Sequence, residues 1–528
     1  MEELPTEINV VSLNVWGIKY ISKLRNERIT EIGRQLAAAN PQPHIVALQE
    51  CFTQEDYQSV RRETRFILPY GKFYNSAAFG GGLAILSRWP IEESTMFKYP
   101  LNGRPTAFWR GDWYVGKGVA CAKIRYGPGS RDVVEVFNTH THAPYEEGQA
   151  KDSYLCHDLA QSWEVAKLMR GAAERGHLVL GLGDFNMIPL SLAHRIVTAH
   201  APVKDVWRVL HPDSSVGNSL QAPERARRRP VPTGEFNLVE NGATADSVFN
   251  TWRWSKADQK RAAKIEIPPD RPDPQGKRID YVFASYGGPP SHADHDLRGV
   301  PIEGWVVKHA KVGMTKPHPK LGCSLSDHFA VEATLVFHSH DPARRSAATA
   351  SSNREKPETR SSENASTEDG EQQALHNGTY LQSPTGSELL GPMNFDAQLA
   401  AFATDDDDRG LPGSAYDEIL RITYRYVARE RSQQFWRGVH FFVSVAVTIA
   451  CWIAVWFSPA NFVAFILMLV SSLVLTTGTV DGLISLVFFN WELRALKEFE
   501  WEIMNAKAMA SGGAAPGEEV REGDDPGW

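Results

Sequence analysis

Two apolar runs near the C-terminus, 439–457 and 462–480, limit the folds open to this chain more than any other feature. Each holds about 19 residues, close to the ~20 that carry an α-helix across bilayer hydrocarbon. Ser458-Pro459-Ala460-Asn461 between them is a tight, uncharged turn, so the pair reads as a hairpin. The competing reading is a pair of buried core helices, but no large soluble domain surrounds the runs to bury them. Arg425, Arg429, Arg431 and Arg437 precede the first run, Arg494 and Lys497 follow the second, and no Lys or Arg lies between. By the positive-inside rule both ends are cytosolic and the tip points away. Asp481 fits best at the cytosolic interface; if the second helix runs on toward Phe489, Asp481 lies in hydrocarbon and needs a partner. Residues 483–504, with Trp491, Phe499 and Trp501 among charges, read as an interfacial helix. Spans this short suit a thin membrane such as the endoplasmic reticulum, with a mitochondrial membrane as the alternative.

At roughly 100–200 residues per domain, 528 residues allow two to four units. Residues 1–338 read as one α/β domain. Its β-rich runs at 8–13, 45–48, 83–86, 133–137, 178–182, 279–283 and 330–336 alternate with loops and helical stretches, 23–39 and 154–170 being the clearest helices. The polar stretch 212–274 reads as an insertion or long loop. Residues 339–412 are rich in Ser, Thr, Glu, Asp and Asn and poor in aromatics, too little apolar surface to offset the entropy of ordering, and are expected to be a disordered linker. A basic juxtamembrane helix at 413–438 precedes the spans, and 481–528 holds the interfacial helix and a disordered cytosolic tail. Five widely spaced cysteines without a CxxC argue against a disulfide framework or zinc knuckle. The acidic N-terminus lacks the basic and long apolar regions of a signal peptide. A net charge of -7 gives no general attraction to nucleic acid.

Five short motifs at strand ends carry potential chemistry. Asn14 lies within Ser12-Leu13-Asn14-Val15-Trp16 at the end of the first β-run, and Glu50 closes Leu48-Gln49-Glu50 at the end of the next. A carboxylate at a strand terminus suits Mg²⁺, which takes hard oxygen ligands; a surface charge at a strand-to-helix loop is the plain alternative. In Asn138-Thr139-His140-Thr141-His142 the two histidines, two residues apart on an extended segment, point the same way. A zinc pair would need a further nitrogen or sulfur ligand, so phosphate contact and acid–base work are preferred. Asp184 and Asn186, in Gly183-Asp184-Phe185-Asn186, share one side if extended and suit activation of water and donation to a phosphoryl oxygen; an Asx-type turn explains them equally. In Ser326-Asp327-His328 the histidine needs a carboxylate to fix its tautomer, and Asp280 of Arg278-Ile279-Asp280-Tyr281 is the candidate. Asp327 is placed near a metal. Val115-Gly116-Lys117-Gly118 lacks the spacing of a nucleotide P-loop. Lys117 instead suits an anionic head group, and Phe108, Trp109, Trp113 and Tyr114 before it suit a membrane interface, or simply a packed hairpin.

In this order, Asn14, Glu50, His140, Asp184, Asn186, Asp280, Asp327 and His328 resemble the endonuclease/exonuclease/phosphatase superfamily. The resemblance implies a DNase I-like four-layer α/β sandwich over residues 8–337, followed here by two transmembrane helices. Within that superfamily, 138–143, 110–118 and the paired apolar helices are similar to the neutral sphingomyelinase group, including the fungal inositol phosphosphingolipid phospholipases C. The resemblance implies Mg²⁺ on Glu50 with Asn14 close by, His328 as general base oriented by Asp280, and His140, Asp184 and Asn186 holding phosphate and water. Asp327 joins the catalytic set; Lys117, Asp112 and His142 are candidate substrate or lipid contacts. The substrate implied is a phosphosphingolipid in the membrane, choline and inositol phosphate head groups both remaining open. Anionic phospholipids are expected as activators through the arginines at 425–437. Nothing points to nucleic acid, and no protein partner is inferable. The rivals are a nuclease or inositol polyphosphate phosphatase of the same fold, and an inactive membrane scaffold.

Overall fold

The computed structural model describes residues 4–146, 148–149, 152–287, 303–339, 394–404 and 410–512. They form two compact units. The first comprises 1–98, 115–141 and 162–409, the second 99–114, 142–161 and 410–528.

Among the described residues, the first unit is built on twelve strands in two mixed sheets. One sheet has the order β11 (Glu303–Gly313), β12 (Ala330–Ser339), β1 (Glu7–Asn14), β2 (Ile45–Gln49), β4 (Leu83–Ser87), β3 (Tyr70–Tyr74). The other has the order β5 (Ile91–Lys98), β6 (Gly118–Arg125), β7 (Val133–His140), β8 (Leu178–Asp184), β10 (Asp280–Ala284), β9 (Lys204–Asp205). Side chains alternate across a strand, and here that parity decides both core and site. Ile8 and Val10 of β1, Ile45 and Ala47 of β2, Val134 and Val136 of β7, Leu180 and Leu182 of β8, and Val282 of β10 all enter the core between the sheets. The next positions of the same parity are Ser12 and Asn14, Gln49, Asn138 and His140, Asp184, and Asp280. The strands are therefore apolar at one end of the inter-sheet space and polar at the other.

The outer faces are covered by helices. Val11, Leu13, Val46 and Leu48 pack with Ile29, Ile32 and Leu36 of α1 (Arg25–Ala37) and Tyr57 and Val60 of α2 (Gln54–Thr64). On the other sheet Met169, from the helix Leu155–Glu174, lies against Gly181, and His194, from the helix Leu192–His200, meets the rings of Tyr281 and Phe283. The result is the four-layer α/β sandwich expected.

Two departures concern 212–274 and 339–412. The first stretch contains three short α-helices and two 3-10 turns, and its Ala245 bridges Lys277 and His328. In the second, 340–393 and 405–409 lie outside the described residues, but Phe395–Thr404 is a helix rather than linker. Its Gln398 side chain accepts from the Val307 N–H and donates to the Val307 carbonyl, adding to the edge strand β11.

In the second unit a single 44-residue helix, Gly413–Trp456, contains both the basic stretch and the first apolar run. A turn leads to Asn461–Leu483, then a π-helical turn Ile484–Phe488 and the helix Phe489–Ala510. Both long helices are apolar enough to cross a membrane, and only 17% and 11% of their most apolar windows are buried. Core helices would be covered on most sides, whereas these two are largely exposed, which is compatible with a membrane anchor. They cross where side chains are small: a Cβ on Gly478 would meet Ser444, the close approach that favours helix pairing in lipid. Asp481 finds two partners, Arg437 and, at 2.7 Å, Nδ1 of His440. His440 is thus a polar interruption of the first run with a defined role.

One acid-sensitive contact lies far from the site. Nδ1 of His44 accepts the Asn9 N–H at 3.0 Å, and burial, aided by Arg88, holds this imidazole down at about 4. As pH falls from 6.5 toward 4, the unfolded chain takes up a proton that the folded one refuses. This group should therefore cost up to about 3 kcal/mol of stability across that window and nothing more below it. The measurement is the chemical-denaturation midpoint against pH, with His44→Gln expected to flatten the slope.

Candidate active site

The polar strand ends converge. Asn14 Nδ2 donates to Oε1 of Glu50 and to Oδ2 of Asp184, both at 3.1 Å, tying the two sheets together. Below it, Gln49 Nε2 donates to Asn138 Oδ1 at 2.7 Å and to Ser12 Oγ at 3.2 Å, while Asn138 donates to the Leu48 and Ala84 carbonyls. This amide layer separates the charged site from the apolar core. His140 and His328 face the same carboxylate, their Nε2 atoms 3.6 and 3.8 Å from Asp184 Oδ2. His328 Nδ1 lies 2.9 Å from Asp280 Oδ2, so the expected histidine–carboxylate pair is formed.

Local chain chemistry places each group. β2 ends at Gln49, and Glu50 takes a left-handed conformation (φ 54°). A Cβ on Gly17 would collide with the Glu50 carbonyl at 2.3 Å, so only glycine lets the chain after β1 pass there. β8 ends at Asp184, whose Oδ1 accepts the Asn186 N–H at 3.0 Å in an Asx-type turn. Asn186 is accordingly left-handed (φ 48°) rather than extended, and its Nδ2 donates to the Thr141 carbonyl at 3.2 Å. Ser326 Oγ donates to the Asn14 carbonyl at 2.6 Å and accepts the His328 N–H at 3.2 Å, fixing the loop that carries Asp327 and His328.

The electrostatics follow from crowding carboxylates in a buried place. Burial, with Asp327 next, pushes Glu50 up to about 7. Burial also raises Asp280 and Asp327, against the pull of His328. Burial alone would raise Asp184 too, but His328, His140 and the Asn14 hydrogen bond hold it below the ordinary carboxylate range. Burial disfavours the His328 imidazolium, yet Asp280 and Asp184 raise this group well above an ordinary histidine. Glu50 Oε2 is buried and accepts no hydrogen bond among the described residues. An acceptor without a donor amid excess negative charge is the environment a hard divalent cation satisfies. Asp184, Asp280 and His328 also offer ligand atoms within 4.8 Å of one another. There, however, Asp280 Oδ2 and His328 Nδ1 already occupy each other. Asn14, expected close to the metal, presents its amide nitrogen to both carboxylates and accepts the Trp16 N–H at Oδ1.

The three candidate lipid contacts separate. Lys117 is buried in the first unit, where its Nζ donates to the Thr141 carbonyl at 2.6 Å and its charge helps lower Asp184. Asp112 and His142 belong to the second unit, both buried and 3.5 Å apart, with Tyr145 donating to Asp112 at 2.8 Å. β7 ends at His140, so the two-residue repeat that would aim His140 and His142 alike stops there. Trp109 in that second unit is 95% exposed, as a membrane-interface aromatic would be, while Trp113 packs edge-on to Phe488.

Two residues that sequence reasoning passed over organise the site. Thr244, from the 212–274 stretch, donates its hydroxyl to Asp280 Oδ2 at 2.5 Å, the same oxygen that His328 faces. Arg28 of α1, fully buried, donates to the carbonyls of Val15, Trp16, Lys23 and Leu325 and stacks on Trp16 and Trp252. No periodicity marks Thr244, whose partners lie far along the chain; a charged residue within the apolar face of α1 was the available signal for Arg28. Thr244→Val should lower turnover roughly tenfold or more, the worth of a hydrogen bond to a charged group, while Thr244→Ser stays near wild type. Steady-state rates of the two variants test this.

Two stacked mixed sheets with acid and histidine side chains gathered at one end of the stack define a DNase I-like α/β protein. The sequence profile of the Endonuclease/Exonuclease/phosphatase family matches residues 11–328, and the chain belongs to that family. It is 35% identical over 511 residues to an inositol phosphosphingolipids phospholipase C of Schizosaccharomyces pombe, with 96% of each chain covered. It is 29% identical over 522 residues to a Saccharomyces cerevisiae protein of that name, covering 95% of this chain and 90% of the relative. Human sphingomyelin phosphodiesterase 2 is 29% identical over 351 residues, covering 64% and 69%.

Proposed function

We propose that the chain is a Mg²⁺-dependent, membrane-anchored phospholipase C-type hydrolase. Its substrates would be inositol phosphosphingolipids, sphingomyelin or both, and its products ceramide and a phosphorylated head group. The chain is a phosphoric diester hydrolase by its kinship with enzymes so named. The observation that carries the mechanistic reading is the His328–Asp280 pair aimed at the carboxylate Asp184 beside Glu50. The names of the relatives matched over 96% and 95% of this chain support the lipid substrate, and the chain's two long apolar helices support the anchor.

In this reading His328 Nε2 takes the proton of the attacking water, and Asp280 at Nδ1 stabilises the imidazolium that results. His140 donates to a phosphoryl oxygen, and Asn186 joins it by releasing Thr141. The water oxygen bonds to phosphorus as the bond from phosphorus to the ceramide oxygen breaks. The ceramide oxygen departs opposite the incoming water and takes its proton from solvent, and His328 gives up its own proton to solvent afterwards. Glu50, with Asp327 nearby, would hold Mg²⁺, which supplies neutralisation of charge on the phosphate. Lys117 adds a positive charge fixed beside Asp184. Both ends of the hairpin would be cytosolic, in the endoplasmic reticulum or a mitochondrial membrane. Anionic phospholipids would activate by drawing the arginines at 425–437 to the surface.

The deciding experiment offers purified protein and Mg²⁺ an inositol phosphosphingolipid, sphingomyelin, an inositol polyphosphate and plasmid DNA. Release of ceramide from either lipid, with the other two untouched, is expected. Cleavage of DNA or of the soluble inositol phosphate alone would overturn the reading, and no turnover of any of them would point to a scaffold.

A further inference from the structure

The loop between β1 and α1 has an apolar tip on a rigid base. Tyr20 is 93% exposed, Ile21 68% and Leu24 45%. Lys19, just before them, and Lys23, between Ile21 and Leu24, are also exposed, and no acidic residue lies from Gly17 to Leu24. A loop that merely failed to pack would be loosely held, but this one is tied at both ends. Its start, Gly17, lies against the Glu50 carbonyl. Its turn is closed by the Ile21 and Ser22 N–H groups on the Ile18 carbonyl, at 3.2 and 3.0 Å. Its end is fixed by buried Arg28, whose Nε donates to the Lys23 carbonyl at 2.8 Å. The loop begins three residues after Asn14, so its base is part of the candidate site. Two further exposed apolar residues, Phe79 and Leu190, stand on loops rooted beside the same site, at Gly82 against Glu50 and just after Asn186.

Held apolar side chains interleaved with lysines match one surface well. Tyrosine sits at the level of lipid head groups, isoleucine and leucine reach the acyl boundary, and lysine ammoniums meet phosphates. A protein partner would be expected to offer a pocket for the tip, and nothing on the chain points to one, whereas the chain carries its own bilayer-length hairpin. We infer that residues 17–24 form a second, reversible membrane contact that seats the site on the phospholipid surface. This rests on the lipid substrate proposed above.

The test uses full-length protein reconstituted in vesicles of phosphatidylcholine and phosphatidylserine, with a nitroxide on Ile21→Cys. Collisional relaxation by oxygen exceeding that by a water-soluble nickel chelate is expected. Relaxation dominated by the chelate overturns the inference, and so does a label immobilised and shielded from both, which would indicate a protein partner. In the same vesicles the Tyr20→Ser/Ile21→Ser variant should lose about tenfold of its phosphosphingolipid turnover and stay within about twofold of wild type on a water-soluble phosphodiester. Equal losses on both substrates, or none on the lipid, count against it. If wild-type protein cleaves the soluble diester but no phosphosphingolipid, the functional reading falls while the nitroxide measurement still decides the loop.

Discussion

His328→Ala is expected to lower phosphodiester turnover by about 10²–10⁴-fold, the range that general base assistance supplies. The side chain touches Asp280 and approaches Asp184, and neither sits in the apolar core. The fold should survive the truncation, with Asp280 left buried and taking up a proton. A companion Asp280→Asn variant should fall by a similar order, because an amide cannot stabilise the imidazolium. A His328→Ala protein that melts normally and keeps a tenth of wild-type activity would remove this histidine from the chemistry.

Glu50→Gln is expected to weaken Mg²⁺ binding by at least about 100-fold, read by calorimetry as well as by the Mg²⁺ needed for half-maximal rate. The pH dependence has a definite sign. Without a cation Glu50 holds its proton up to about 7, and that proton must leave for the oxygen to become a ligand. Below pH 7 the half-saturating Mg²⁺ concentration should therefore climb, by about tenfold per pH unit at the limit. Above pH 7 it should level off. A second consequence concerns His328, which the surrounding carboxylates raise well above an ordinary histidine, whereas taking a proton from water requires the neutral ring. Added positive charge opposes them, so Mg²⁺ should move the His328 titration downward, visible by NMR without any turnover. Mg²⁺ affinity unchanged in Glu50→Gln would place the ion elsewhere.

Much of this arrangement was legible because strands announce themselves when they are buried on both faces. The runs at 8–13, 45–48, 178–182 and 279–283 are largely apolar stretches, and each corresponds to a central strand with a site residue at or just beyond one end. β3 and β5, at sheet edges, gave no such signal: Tyr70–Tyr74 contains a glycine and Ile91–Lys98 is half exposed. The identities Asn14, Glu50, Asp184, Asp280 and His328 came from motif order, and their convergence needed the pairing of β1 with β2 and of β8 with both β7 and β10. What could not be read was non-local. The Thr244 bond to Asp280 joins a stretch without pattern to a strand 36 positions on. The backbone turns at Glu50 and Asn186 escape any period-two argument, because the strands stop one or two residues earlier.

The shared parity of core and site has a further consequence for how such a chain can change. Asp184 and Leu182 are read in one phase, as are Asn14 and Val10, so the same alternation that keeps oil between the sheets aims the acids. Deleting a single residue at the start of β8, ahead of Leu180, would turn Asp184 to the opposite face and expel Leu180 and Leu182 with it. Chemistry and foldability therefore fail together under any frame slip in these strands. Insertions between strands leave the phase untouched. The length variation tolerated by a lineage of such enzymes should therefore gather in connections such as that between β6 and β7, at the end of the strands away from the acids.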